Sequence, residues 1–332
     1  MAGDAGGSGV LTPRRRKDLD EDDVRVRPTR QGSRPRTRTR PAHEQAADGV
    51  VLAVDRGRYT CQVAGSILTA MRARELGRKS VVVGDRVALV GDLGGGADAL
   101  ARIVRIAPRT SVLRRTADDD DPQERVLVAN ADQLVIVAAL ADPPPRTGLI
   151  DRCLVAAYVG GLRPLLCLTK ADLADPRDLL ALYDDLGLDA VAVRRDRSFD
   201  AIHEQLAGQV SVLVGHSGVG KSTMVNALVP SARRATGAVS GIGKGRHTSS
   251  SAVMLPLTDG WIIDTPGIRS FGLAHVTPGD LLAAFPDLAP GAADCPPGCE
   301  HRSPADGCAL DAWVADGHAT AGRLSSYRRL IP

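Results

Sequence analysis

From Gln209 to Leu228 the chain reads QVSVLVGHSGVGKSTMVNAL, and no other stretch restricts the fold so strongly. A β-branched apolar run (Val210, Val212, Val214) stops at Gly215. After Gly-His-Ser-Gly-Val-Gly-Lys-Ser the residues become helix-forming. The pattern G-x-x-x-x-G-K-S between a strand and a helix is the P-loop pattern. Gly215, Gly218 and Gly220 permit backbone conformations that a side chain would forbid, so the amides of His216, Ser217, Val219 and the residues through Thr223 can converge on a phosphate at a helix N-terminus. Lys221 adds charge for the β- and γ-phosphates, and Ser222 a hydroxyl for Mg²⁺.

A chain of 332 residues has room for two or three domains, and 43 % apolar residues suffice for a real core. Only nine aromatics are present, so that core is aliphatic. The longest apolar run, Leu134–Ala141, is too short to span a bilayer. Met1–Val10 has no basic region followed by an apolar core, so no secretory signal is expected. A cytoplasmic protein without membrane contact follows as the expectation. The six cysteines then read as thiols or metal ligands; Cys61, Cys153 and Cys167, in apolar segments, read as small buried hydrophobes.

The net charge of +3 implies no partner by itself. Residues 1–48, with an acidic run at Asp18–Asp23 and arginines at 25, 27, 30, 34, 36, 38 and 40, read as a disordered Arg-rich tail. It suits either a phosphate backbone or solubility alone. Residues 49–108 hold five short β-type runs (Val50–Val54, Tyr59–Val63, Ile67–Ala73, Val81–Leu89, Ala101–Ala107), which predict an OB-fold barrel. Tyr59 is its sole aromatic, so stacking on bases is not its main mode, while Arg72, Arg74, Arg78, Lys79 and Arg86 can grip phosphates. Residues 109–125, basic from Arg109 to Arg115 and acidic at Asp118–Asp121, read as a solvated linker.

From residue 126 to 275 strands and helices alternate, the pattern of a parallel sheet covered on both faces. Strands are expected at Gln133–Leu140, Pro164–Leu168, Ala190–Val193 and the P-loop, with helices at Ile150–Val159, Leu179–Leu186 and Phe199–Ala207. A strand pair follows the P-loop helix (Ala252–Leu257, Trp261–Ile263), and a short helix near Leu281–Phe285 comes next.

Asp264, closing Trp261-Ile262-Ile263, suits a carboxylate that orients Mg²⁺ through water, and the Gly267 amide can reach a γ-phosphate. Thr248, in the polar loop Ala235–Ser250, can complete the Mg²⁺ shell when triphosphate is present. Thr169-Lys170-Ala171-Asp172 resembles the guanine-reading N/T-K-x-D element. Its Asp172 carboxylate can accept from N1–H and the exocyclic amine of guanine, and the Lys170 stem can lie along the base. This element precedes the P-loop, whereas in ordinary GTPases it follows, so the domain reads as circularly permuted. Ile268 stands where many GTPases carry a glutamine that orients the attacking water, so turnover alone should be slow. His247, beside Thr248, is the candidate to assist; contact with RNA, or shaping the loop, is the other reading.

Near the C-terminus Cys295, Cys299, His301 and Cys308 place three thiols and an imidazole within fourteen residues. This is a Cys₃His set with structural-zinc spacing, and four protein ligands leave no open position.

Taken together, the permuted order, G-x-S-G-V-G-K-S, G-R-H-T, D-T-P-G-I-R, the preceding small barrel and the trailing Cys/His cluster resemble the ribosome small-subunit-dependent GTPase A family of bacteria over roughly residues 49–332. The resemblance implies an α/β chain: a circularly permuted P-loop GTPase domain with an N-terminal all-β OB-type barrel and a small C-terminal zinc-binding module at 276–332. It implies a monomeric cytoplasmic GTPase that takes GTP with Mg²⁺, holds one structural Zn²⁺, and binds the small (30S) ribosomal subunit and its 16S rRNA late in assembly, with turnover stimulated by that subunit. Arg109 to Arg114 looks like the family's basic connector. Three departures stand out. Thr169 replaces the usual Asn, the fifth GTPase element near Ala190–Arg195 lacks a Ser-Ala signature, and the cysteine spacing is x3-x-x6 instead of x4-x-x5. A nucleotide-gated RNA-binding protein with incidental hydrolysis is the alternative, and a P-loop phosphotransferase is a further rival that G-R-H-T and D-T-P-G argue against.

Overall fold

The computed structural model describes residues 43–77, 81–94, 100–116, 124–229, 252–266 and 271–331. The Arg-rich arm, Arg78, Lys79, Asp118–Asp121, His247, Thr248, Gly267 and Ile268 lie outside the described residues.

The first five strands are β1 (Ala47–Asp55), β2 (Arg58–Val63), β3 (Ser66–Arg72), β4 (Arg86–Gly91) and β5 (Ala101–Ile106). They pair in the order β1-β2-β3-β5-β4, and β4 returns to β1. Only the β3–β5 pair is parallel, so the barrel closes with the topology of an OB-fold. Alternate residues point inward, and Val51, Tyr59, Cys61, Leu68, Leu89 and Ile103 form its core. Two boundaries differ from expectation. Strand β1 begins at Ala47, because Ala47 and Asp48 find partners in Leu89 and Ala88; and the fourth strand starts only at Arg86, because Gly84 turns the chain with φ of 86°.

Residues 109–116 are not a solvated linker but part of the folded structure. Strands β6 (Val112–Arg115) and β7 (Arg125–Ala129) pair as a hairpin with Leu113 fully buried. Arg109 donates from Nε to Asp85 Oδ1 at 2.7 Å and from Nη2 to Oδ2 at 2.9 Å, and Asp85 is completely buried. The Asn130 amide donates to Gly84 O at 2.9 Å while its carbonyl oxygen accepts from the Thr110 amide at 2.9 Å. Ser111 Oγ donates to Ala131 O at 2.5 Å. An arginine expected to face outward is instead spent on joining the barrel to the next domain. A Cβ at Gly84 would lie 2.0 Å from Ala129 O, at a φ that side chains rarely adopt. Gly84→Ala should therefore cost about 2–4 kcal/mol, combining backbone strain with overpacking. Denaturant unfolding checks it, and a midpoint equal to that of the parent chain would refute it.

Through an antiparallel contact of β12 with β1 at Val253 and Ala53, the barrel strands continue into a run that contains β8 (Gln133–Ala139), β9 (Arg163–Thr169), β10 (Asp189–Val193), β11 (Val210–Gly215), β12 (Val253–Pro256) and β13 (Trp261–Asp264). Its order is β10-β9-β8-β11-β13-β12, with only β12 antiparallel. Every residue of β8 is buried, as a central parallel strand requires. Among the described residues the helices are α1 (Thr147–Gly160), α2 (Arg177–Ala181), α3 (Asp200–Leu206), α4 (Lys221–Leu228), α5 (Pro278–Leu282), α6 (Leu310–Ala315) and α7 (Ala321–Leu330). Odd-numbered side chains of β8 pack with Ile202, Leu206 and Met224 of α3 and α4, and even-numbered ones with Leu154 and Ala157 of α1. The helix expected over Leu179–Leu186 is split into α2 and a 3₁₀ turn at Asp184–Leu186.

The C-terminal segment does not stand alone. Leu281, Phe285, Leu310, Leu324 and Tyr327 join the cluster that includes α1, and Phe285 meets the rings of Tyr158 and Tyr327 edge-on at 5.5 and 5.3 Å. Among the described residues no helix is long and apolar enough to cross a membrane.

Candidate functional site

Strands β9 and β11 are parallel and flank β8, so their C-terminal ends open on the same edge of the sheet. Gly218 and Gly220 take φ of 86° and 92°, the left-handed region that turns the loop after β11 and delivers it to α4. The first-turn amides of α4, at Lys221, Ser222 and Thr223, have no partners within the helix and face this loop. His216 Nδ1 donates to Ser217 O at 2.9 Å, and Ser217 and Gly218 are exposed on the outside of the turn.

Lys221 is 93 % removed from solvent, with only 7 % of its surface exposed. Its ammonium donates to the Asp264 carboxylate and, at 2.5 Å, to Thr265 O. Asp264 ends β13 level with Leu213 of β11, and the Thr265 hydroxyl donates to Leu213 O at 2.6 Å. Thr265 is a residue that motif reading passed over; its position beside Asp264 was the available signal. The exposed Ser222 hydroxyl, next to Lys221, and the half-exposed Asp264 carboxylate are hard oxygen donors, the chemistry Mg²⁺ takes.

The Thr169–Asp172 segment reaches the loop after β11 directly. Thr169 Oγ1 lies 2.5 Å from Val219 O, to which it donates, with Ala138 O at 3.3 Å. The threonine that departs from the usual asparagine thus ties the end of β9 to the P-loop, across 50 residues of sequence. Lys170 takes a left-handed φ of 59° and donates to Asp142 O in the loop after β8. Ala171 N donates to Val193 O at 3.2 Å, and the exposed Asp172 carboxylate accepts from the Arg195 amide at 3.2 Å. The contact to Asp172 is made by the Arg195 backbone amide, which no side-chain type in the sequence marks.

The four C-terminal ligands also converge. His301 Nδ1 lies 3.5 Å from Cys295 Sγ, 3.5 Å from Cys299 Sγ and 3.6 Å from Cys308 Sγ. All four ligand atoms fall within 4.8 Å of one another. Zn–S of about 2.3 Å and Zn–N of about 2.0–2.1 Å at tetrahedral angles put sulfur and nitrogen about 3.5 Å apart, so the residues fit zinc. Ala309 N donates to Cys295 Sγ at 3.2 Å, and Arg328 Nε to His301 O at 3.1 Å, with the Arg328 fork paired to Asp311 at 2.9 and 2.6 Å. Burial, then the Arg328 cation, pushes the His301 pKa down, which keeps the imidazole neutral and ready to ligate. Outside the cluster, burial pushes the thiols of Cys61, Cys153 and Cys167 up to about 12, so they are inert core residues.

Comparison with known proteins agrees with this geometry. Residues 106–274 match the family model described as RsgA GTPase. A protein of Pseudomonas syringae pv. syringae named small ribosomal subunit biogenesis GTPase RsgA is 40 % identical over 264 residues, 76 % of this chain and 74 % of that one. A protein of the same name from Gemmatimonas aurantiaca is 37 % identical over 262 residues, 76 % of this chain and 84 % of its own. Among solved structures, YjeQ from Thermotoga maritima superposes with a TM-score of 0.62 at 24 % identity, covering 86 % of this chain and 96 % of that one. YloQ, described as a circularly permuted GTPase, gives 0.59 at 24 % identity, covering 87 % of this chain and 96 % of that one. With Thr169-Lys170-Ala171-Asp172 upstream of the P-loop in sequence yet hydrogen-bonded to it, and with relatives of this identity and coverage, the chain belongs to the RsgA GTPase family.

Proposed function

We propose that this protein hydrolyses GTP to GDP and phosphate during late maturation of the small ribosomal subunit, bound to that subunit and its 16S rRNA as a cytoplasmic monomer. The observation that supports the reading is the 2.5 Å hydrogen bond from Thr169 to Val219 O, which joins the Thr169–Asp172 loop to the loop after β11. The names of the curated relatives support the partner.

In this reading Lys221 and the amides from Gly215 through Thr223 hold the phosphates. Asp172 accepts from N1–H and the exocyclic amine of guanine, and Thr169, Lys170 and Ala171 shape that loop. Ser222, Asp264 and Thr248 would hold Mg²⁺, which supplies charge neutralisation at the β- and γ-oxygens. Gly267 and the proposed water-positioning His247 come from the sequence pattern alone. Cys295, Cys299, His301 and Cys308 would hold a structural zinc, whose role is to keep a turn-rich segment folded. The barrel at 49–108, the GTPase domain at 126–275 and the metal module at 276–332 act as one unit on the subunit, and slow intrinsic turnover follows from Ile268.

Competition of GTP, ATP and XTP for the purified protein, with and without 30S subunits, tests the reading. GTP should win and subunits should accelerate its turnover. In Asp172→Asn, preference should move from GTP to XTP by about tenfold or more, since the amide side chain donates to the 2-oxo group that xanthine carries. Equal competition by ATP would refute the base assignment, and turnover indifferent to subunits would favour the RNA-binding alternative.

A further inference from the structure

The turn that links the base-reading loop to β10 is gripped by the C-terminal helix. Arg323 of α7 donates to Leu186 O at 3.2 Å and Asp185 O at 3.5 Å. The same guanidinium donates to the Asp287 carboxylate at 3.0 and 3.5 Å and lies 4.5 Å from the centre of the Phe285 ring. Six residues further along the helix, Arg329 donates to Leu182 O at 2.7 Å and sits over the Tyr183 ring at 4.9 Å. Tyr183 and Leu186 are buried in the cluster that also holds Phe285, Leu324 and Leu330.

Both ends of that turn lead to Asp172. Upstream, Tyr183 N, Leu182 N and Leu180 N donate in succession to Leu180 O, Leu179 O and Pro176 O, a short stiff run that begins four residues after Asp172. Downstream, β10 pairs with β9 through Val193↔Thr169, and the next residues supply the Arg195 amide that holds the Asp172 carboxylate. A shift of the turn therefore displaces both supports of the base-reading carboxylate.

We propose that Arg323, assisted by Arg329, is a positioning residue for guanine recognition: through the turn Leu182–Gly187 the C-terminal helix sets the placement of Asp172. The proposal rests on the reading of Asp172 as the guanine contact. By linkage, a guanine nucleotide in the site tightens the docking of α7 by the same factor by which α7 tightens nucleotide, so a partner that lifts α7 loosens the base without touching the phosphates.

The test is the ratio of GDP to IDP affinity, measured by titration calorimetry on the full chain. IDP lacks the exocyclic amine, so the ratio reports how well Asp172 is placed, and a change in overall stability does not move it. In Arg323→Ala the ratio should fall about fivefold. Arg323→Lys, which keeps a cation over Phe285 but loses the fork, should lie between. Should Arg323→Ala fail to fold, Arg329→Gln touches the same turn at Leu182 and should lower the ratio in the same direction. A ratio unchanged in the folded variants, or one that falls only in step with lost zinc, overturns the proposal. A parent chain that does not distinguish GDP from IDP overturns the Asp172 reading as well, which separates the two failures.

Discussion

Lys221→Ala should lower GTP turnover by on the order of 10²–10³-fold, in kcat and in kcat/KM alike, because the charge it removes acts on oxygens whose negative charge grows as the γ-phosphate departs. The side chain is almost fully buried, and its ammonium already donates to the Asp264 carboxylate and Thr265 O at the end of β13. Nothing else among the described residues of the cradle carries a positive charge at that point. The amides at the start of α4 remain in the variant, so nucleotide binding weakens less than turnover falls. The half-exposed Asp264 loses its cation but not its access to water, so the fold survives. Single-turnover hydrolysis of GTP with small subunits present is the measurement, with a thermal melt alongside. Turnover within about threefold of the parent chain would place the phosphates elsewhere.

Cys308→Ser should abolish stoichiometric metal binding and lower the melting temperature by about 10 °C. The parent chain should carry one zinc by elemental analysis, and the variant less than a tenth of that. The size of the effect follows from how the segment is built. Between α5 and α6 it contains only 3₁₀ turns at Ala289–Asp294 and Pro304–Asp306, with no strand ladder to hold it. Metal binding contributes about 10–16 kcal/mol to zinc-finger peptides that have nothing else. Here Leu310, Leu324 and Tyr327 still dock on the α1 cluster, so only part of that is lost and α7 should stay in place. Limited proteolysis should accordingly cut between residues 295 and 308. A zinc-free parent chain, or a variant that melts within about 2 °C of it, would remove the metal from the account.

Much of this site was legible before any fold was known. The P-loop was, because its groups lie within nine consecutive residues and the glycines dictate the turn; the left-handed φ values at Gly218 and Gly220 are what that spacing demands. The Cys₃His cluster was, for the same reason, and shifting its middle ligands by one residue still leaves the imidazole 3.5–3.6 Å from all three sulfurs. The barrel's alternation and the sheet's apolar runs gave the right class for each domain, with ends displaced where pairing partners or a glycine turn decided them.

Other features were not legible. Arg109 looks like a basic surface residue until Asp85 is found buried beside it. Thr169 looks like a weakened reader until its hydroxyl is seen on Val219 O. Arg323 is one more arginine in a basic end until four acceptors and a ring surround it. By itself the sequence determined which residues are grouped in the P-loop and in the Cys₃His cluster, since neighbours in the chain can meet only in a few geometries. Only the tertiary structure decided how the Thr169–Asp172 loop, the connector and the C-terminal helix are held, since their partners lie up to 147 residues away and are selected by strand order and packing.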